Sequence, residues 1–241
     1  MKTKFFVLIP LLLLLVALAM QGAAAAGVYN AGDIEVIHRI IDDNDLDWEK
    51  WTDGDMPPAS WHRVDKKGSF QEGVQWSDDA TSKRIVSLSV YDKGLTGTLD
   101  VSGLTELKWL GCSKNKLIAF DISKCVKLEW FECADNNLST LDATRCTKLA
   151  KLECDGNPLS HLKLPGGYQV NIVVVPQGSG TVRLTEYNHD KKRVTLSAKA
   201  MEGSAFSGWT VSGFPTKPRT RGSSVVFTLP PTTVTVTANF Q

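Results

Sequence analysis

Three stretches, LKWLGCSKNKLIAFDISKCVK (107–127), LEWFECADNNLSTLDATRCTK (128–148) and LAKLECDGNPLSHLKLP (149–165), align without a gap at a period of 21 residues. An earlier copy, IVSLSVYDKGLTGTLDVSGLTE (85–106), fits with one extra residue near Thr96–Thr98. A fixed short period means stacked coils. Each coil places a short strand in a parallel sheet and contacts only its neighbours, which leaves one sheet face open. Same-phase residues of successive copies must then lie in columns, and those columns decide which side chains are hidden.

The inward columns are Leu107/Leu128/Leu149, Leu110/Phe131/Leu152, Leu117/Leu138/Leu159, Phe120/Leu141/Leu162 and Ile122/Ala143/Leu164. Among them runs a polar column, Asn115, Asn136 and Asn157, where the chain leaves its strand. An amide offers both donor and acceptor to the unpaired backbone of such a turn, so this row is structural. The first copy has Lys93 at that position, which predicts a departure from the regular ladder there.

All five cysteines follow the same period. Cys112, Cys133 and Cys154 alternate with the inward Leu/Phe column and are expected as buried thiols. Cys125 and Cys146 share another phase. Neighbouring coils lie ~4.8 Å apart, within disulfide reach, so both free thiols and a bridge stay open for that pair. No CxxC pair with a histidine at ligand spacing is present, and no metal site is expected.

Residues 1–26 read as a secretory signal: Lys2 and Lys4, an apolar run from Phe5 to Met20, and Ala24, Ala25 and Ala26 before Gly27. Cleavage at Ala26–Gly27 would leave about 215 residues and change the formal charge from +1 to −1 by removing two lysines. The mature chain is expected to be exported, without membrane insertion. That charge gives no reason to expect nucleic acid as a partner.

Between 27 and 84 the composition changes. Asp33 is placed to cap a helix carrying Ile34, Ile37 and Ile41, with Val36 and Ile40 beside them, and the polar run Asp42–Asp45 should end it. Trp48, Trp51, Trp61 and Trp76 follow. The open core of a first coil needs a cover, and bulky rings supply one. Alternating Asp43, Asp45 and Asp47 fail as a calcium loop, because position six is Trp48 and position twelve is Gly54. From 168 to 241 the period is lost and β-rich runs such as VNIVVV (170–175), RVTLSAKA (193–200) and TVTVTANF (233–240) predict a small all-β module, with Leu164–Gly167 at the boundary.

With those residues in view, LTGTLDVSGLTELKWLGCSKNKL (95–117) and FDISKCVKLEWFECADNNLSTL (120–141) resemble the bacterial 21-residue leucine-rich repeats written LDVSxxTxLxxLxCxxNxLTx. GVQW (73–76) with KRIVSLSVYDKGLTGTL (83–99) resembles the N-terminal cap and first repeat of plant-type repeat proteins. FSGWTVSG (206–213) and TVTVTANF (233–240) are similar to divergent internalin-type B-repeats. The expected class is therefore α+β with a short right-handed leucine-rich-repeat solenoid of about four coils (85–165), a helical, tryptophan-rich cap (27–84) and the β module (168–241). The resemblance implies a secreted or surface bacterial protein that binds protein or glycan partners.

Strand alternation aims Ser89, Tyr91, Trp109, Gly111, Ser113, Trp130, Glu132, Ala134, Lys151, Glu153 and Asp155 at the open face. Within it, Tyr91, Trp109, Trp130, Glu132, Lys151, Glu153 and Asp155 are the candidate binding residues. Trp109 and Trp130 are expected as an exposed aromatic pair beside the acidic strip Glu132, Glu153 and Asp155. No catalytic residues and no cofactor are expected. His38, His62, His161 and His189 fall in separate surroundings, and neither HExxH nor GxSxG occurs. Non-catalytic adhesion is the leading functional expectation; an envelope spacer and an accessory to glycan processing are the alternatives.

Overall fold

A computed structural model describes residues 28–52, 56–64, 70–175 and 177–241; the expected signal segment, 1–26, lies outside the described residues. The described chain opens with helix α1 (Ala31–Asn44). Asn30, not Asp33, caps it: the Asn30 Oδ1 accepts the Asp33 N–H at 3.0 Å. Asp33 instead turns inward and is fully buried. Its carboxylate takes Arg84 Nη2 at 2.8 Å, Arg84 Nε at 3.0 Å and the Ile85 N–H at 2.7 Å. A carboxylate one turn from a capping residue was free to do either; burial beside a guanidinium decided it. The helix stops at Asp45, a left-handed C-cap with φ 50°.

Val36, Ile37, Ile40 and Ile41 form the buried stripe of α1. It lies so close to the first coil that a Cβ on Gly103 would meet Val36 Cγ2 at 2.5 Å. A 3-10 turn (Ala59–Trp61) and two antiparallel strands follow, β1 (His62–Val64) and β2 (Phe70–Trp76). Trp51 meets Tyr29, Trp61 and Trp76 edge-on, with ring centres 4.9, 6.2 and 6.3 Å away. Trp48, Trp51 and Trp61 are buried in the same core as the coils.

The coils supply β3 (Ile85–Ser89), β4 (Thr96–Asp100), β5 (Trp109–Gly111), β6 (Lys116–Asp121), β7 (Trp130–Glu132), β8 (Thr140–Asp142), β9 (Lys151–Glu153) and β10 (His161–Leu164). The strands alternate between two sides of a β-solenoid. On one side runs a six-stranded sheet in the order β1-β2-β3-β5-β7-β9, parallel from β3 onward. On the other, β4 pairs with β6 and β8 with β10, again in parallel. Leu88, Leu110, Phe131 and Leu152 are in register and buried between the two sides.

At the end of each front strand one residue is left-handed: Asp92, Lys114, Asp135 and Gly156, with φ of 53, 58, 51 and 72°. That conformation costs a non-glycine residue on the order of 1 kcal/mol or more. It directs the next residue inward, and in three coils that residue is the asparagine. The Asn136 Nδ2 donates to the carbonyls of Cys112 at 3.0 Å and Cys133 at 3.2 Å, while its Oδ1 accepts the Leu117 N–H at 3.0 Å. Asn157 repeats this one coil later. Asn115 reaches back to the Val90 carbonyl at 2.9 Å and accepts the N–H groups of Lys93 and Leu95 at 3.0 Å each. Lys93 sends its own ammonium to Glu72. The first coil thus borrows its polar staple from the second.

The β module comprises β11 (Tyr168–Val175), β12 (Gly180–Asn188), β13 (Arg193–Ala200), β14 (Phe206–Ser212), β15 (Arg219–Arg221), β16 (Ser224–Thr228) and β17 (Val234–Phe240). No linker separates it from the coils. Gly166 and Gly167, at φ 84 and 79°, make a tight turn, and β11 folds back antiparallel on β10. The result is one five-stranded sheet, β14-β17-β11-β10-β8, shared by both parts. Val170 thereby pairs with Leu162 and Tyr168 with Leu164 of the last coil, and Leu162, Leu164, Val170 and Ile172 are buried. A second sheet, β12-β13-β16-β15, completes the module, with β12 beside β9.

Candidate functional site: the open sheet face

Parallel register sets the open face in rows. Ser87, Trp109, Trp130 and Lys151 are successive partners across β3, β5, β7 and β9, and so are Ser89, Gly111, Glu132 and Glu153. The two rows are two residues apart along each strand and therefore share a side.

At the β3 end the expectation of exposure fails. Ser89 is 1% exposed and Ser87 is also buried, so neither offers a contact. Trp109 is half-buried rather than open. Its ring lies back along its own strand across Gly111, where an added Cβ would come within 2.3 Å of the indole Cη2. Glycine at 111 leaves the room that this ring occupies, a role that spacing alone did not assign.

The other end is accessible. Trp130 is 37% exposed, and the Lys151 ammonium sits 3.8 Å from its ring centre. Lys151 also pairs with Glu153 at 2.6 Å. A cation over an indole face gains from the ring quadrupole, ~0.5–1 kcal/mol at an exposed position. Glu132, half-buried beside Glu153, is held above the usual carboxylate range, first by burial and then by the neighbouring Glu153 charge, with Lys151 partly offsetting both. Tyr91 lies on the turn after β3, 44% exposed, with the Lys114 ammonium 5.3 Å from its ring centre. Lys114 was not among the expected contacts. It occupies the left-handed position of its coil, and its phase relative to Tyr91 was the available signal. Asp155 is half-buried; its carbonyl accepts the Asp135 N–H at 2.7 Å.

Glu153 is thus engaged internally, and Trp130 carries a resident cation. The face can take a ligand that stacks on indole and pairs with carboxylate. Glu132 and Glu153 are register partners on neighbouring strands of that face.

The remaining expected residues lie elsewhere. Cys112, Cys133 and Cys154 form a buried column, Cys125 and Cys146 are buried as well, and all five are free thiols. The Cys112 and Cys125 thiols donate to the Glu132 and Val101 carbonyls, each at 3.3 Å. Burial pushes Cys125 and Cys146 up to about 12. His38 Nε2 accepts the Trp51 N–H at 3.1 Å, His161 shares a hydrogen bond with Ser160, and His189 shares one with Tyr187. Among the described residues, no group of three or more His, Cys, Asp or Glu side chains is placed to hold a metal ion.

No curated protein matches the chain. Residues 170–241 match the family of divergent InlB B-repeat domains, a span that begins two residues into β11 and takes in the rest of the module.

Proposed function

We propose that this is a secreted or cell-surface leucine-rich-repeat protein that binds a protein or glycan partner, without turnover, through the open sheet face. In this reading α1 and the tryptophan cluster are the N-terminal cap of the repeats. The 21-residue phase, the inward Leu/Phe column and the asparagine row support the leucine-rich-repeat assignment. B-repeat domains are found on bacterial surface proteins, which fits a cell-surface role.

The observation that carries the binding proposal is the row Trp109–Trp130–Lys151 lying in register beside Glu132 and Glu153. Exposed aromatic surface flanked by charge is the composition of contact sites. The test is a pull-down from host or bacterial surface extracts with the mature chain and a Trp109→Ala/Trp130→Ala variant. Retention of captured material by wild type and its loss from a variant with an unchanged melting curve supports the proposal. Equal capture by both removes it.

A second reading, a spacer without a dedicated ligand, is favoured by one feature: the five-stranded sheet that joins coils and module into a continuous body. A spacer would tolerate the double tryptophan variant in every binding and adhesion assay.

A further inference from the structure

The near-neutral total charge conceals a strong gradient along the chain. Residues 28–84 hold seven Lys/Arg against thirteen Asp/Glu, a net of −6. Residues 85–167 hold ten of each, and residues 168–241 hold eight Lys/Arg against three Asp/Glu, a net of +5. The positive end is also organised. Cross-strand partners in an antiparallel pair share a face. Register therefore puts Arg183 with Ser197, Arg193 with Thr228, Arg219 with Val226 and Thr195, and Arg221 with Ser224 and Ser197 on one side of β12-β13-β16-β15. Val182, Leu184, Val194, Leu196, Val225 and Phe227 alternate with them and are buried on the other side.

Four guanidinium groups thus share one outer face. One of them, Arg193, pairs with Glu186 at 2.7 Å. Among the described residues, Arg183, Lys217, Arg219 and Arg221 make no ion pair. At the Arg193–Arg219 end of the sheet is a cavity of about 310 Å³ lined by Arg193, Phe214, Thr216, Lys217, Arg219 and Thr228; Arg183 and Arg221 lie outside it. The Nε of Arg193, one of the lining residues, is buried and has no hydrogen-bond partner among the described residues. A buried donor left unpaired is destabilising, and an acceptor reaching it would relieve that.

We propose that this face of the module binds acidic glycan, with one carboxylate- or sulfate-bearing sugar unit seated in the cavity. Arg193, Lys217 and Arg219 engage the anionic group; guanidinium forks match planar or tetrahedral oxyanions. The Thr216 and Thr228 hydroxyls face sugar hydroxyls, and Phe214 supplies an apolar wall. That mixture of charge, hydroxyl and ring in one open hollow suits a sugar unit better than a nucleic-acid backbone, which asks only for cations along a path.

The test uses the mature chain against immobilised dextran sulfate, polygalacturonate, neutral dextran and double-stranded DNA. The expected result is saturable binding to at least one acidic glycan, none to neutral dextran, and weakening as salt rises. Lys217→Glu/Arg219→Glu should reduce that binding at least tenfold. Lys108→Glu/Lys116→Glu, with the same charge change on exposed coil positions, should leave it within about twofold. The Trp109→Ala/Trp130→Ala variant should bind acidic glycan as wild type does, which keeps this site distinct from the open face. Equal loss in both charge variants, or DNA binding as tight and as sensitive to Lys217 and Arg219, would overturn the proposal.

Discussion

In the coils and the N-terminal block six polar side chains are buried, Asp33, Ser87, Ser89, Asn115, Asn136 and Asn157, whereas among the described residues the β module buries none of that kind. Both parts are made of short strands, and they share a sheet. They differ in how the backbone between strands is satisfied. A coil must turn within its own core, so its turn carbonyls and N–H groups are enclosed, and side-chain amides serve them. The module turns in solvent at hairpins, where water serves the same groups, and its polar side chains stay outside. Side chains in the coils are therefore tied to their columns, while those on the module's outer face carry no such tie.

The sharpest way to break this comparison is at the amide row. Asn136→Ala strands the Leu117 N–H and two enclosed carbonyls, and should lower unfolding free energy by about 3–5 kcal/mol, at about 1–3 kcal/mol for each buried group left unpaired. Asn239→Ala in the module, whose amide donates to Gly208 O at 3.2 Å and Thr210 Oγ1 at 2.9 Å on an accessible face, should cost under about 1 kcal/mol. Denaturant melts of the two variants decide it; comparable losses would mean that enclosure is not the cause.

Next in size is Asp33→Ala, which leaves Arg84 and the Ile85 N–H without their carboxylate. Removing one partner of a buried pair costs about 3 kcal/mol here, the low end of the range because Arg84 retains some solvent. Asn30→Ala removes the actual helix cap and should cost only about 1 kcal/mol. If the order of these two variants reverses in thermal melts, the buried Asp33–Arg84 pair contributes less than the helix cap.

Thiol accessibility sharpens the comparison without an energy. All five cysteines belong to the coils, are buried, and are free. Native protein should resist a thiol-labelling reagent and take up five equivalents once unfolded. Fast labelling of any thiol in the native state would show that coils open independently of the module.

The smallest effect concerns the open face. Glu132 has a raised folded-state pKa, so its ionised form is disfavoured by folding; the penalty is complete at neutral pH and fades as pH falls through the raised value. Glu132→Gln should therefore stabilise at pH 7, by about 0.5 kcal/mol, the scale of like charges on neighbouring strands. The gain should vanish in acid, where wild-type Glu132 is already neutral. Melting curves of both proteins across pH would reveal a pH-independent difference if packing, rather than charge, were responsible.

Much of the solenoid could be read before any coordinates. The period identified the inward columns, and Leu110, Phe131, Leu152 and the asparagine row lie where same-phase stacking requires. The candidate face was legible in membership but not in posture. Nothing in the spacing of Trp109 indicates that its ring folds over Gly111, since that depends on which rotamer fills the room the glycine leaves on the same strand. Ser87 and Ser89 carry the right phase for the face, yet they are buried; phase reports the side of a strand and says nothing of what covers it. The arginines of the module were visible as residues, but an aperiodic segment has no phase, so their common face required the pairing register.

By itself the sequence determined the local and periodic facts: a helix stripe at 3.6-residue spacing, coils at 21, strand alternation, and thiols confined to inward columns. These follow from covalent geometry and from hydrophobic burial, which act over a few residues or repeat from copy to copy. Tertiary structure alone decided that Asp33 pairs with Arg84 fifty-one positions away, that β11 extends the sheet of the last coil, and that four arginines meet on one surface. Each of those depends on which distant segments come together, and contact between distant segments is set by the whole chain's packing, not by any stretch of it.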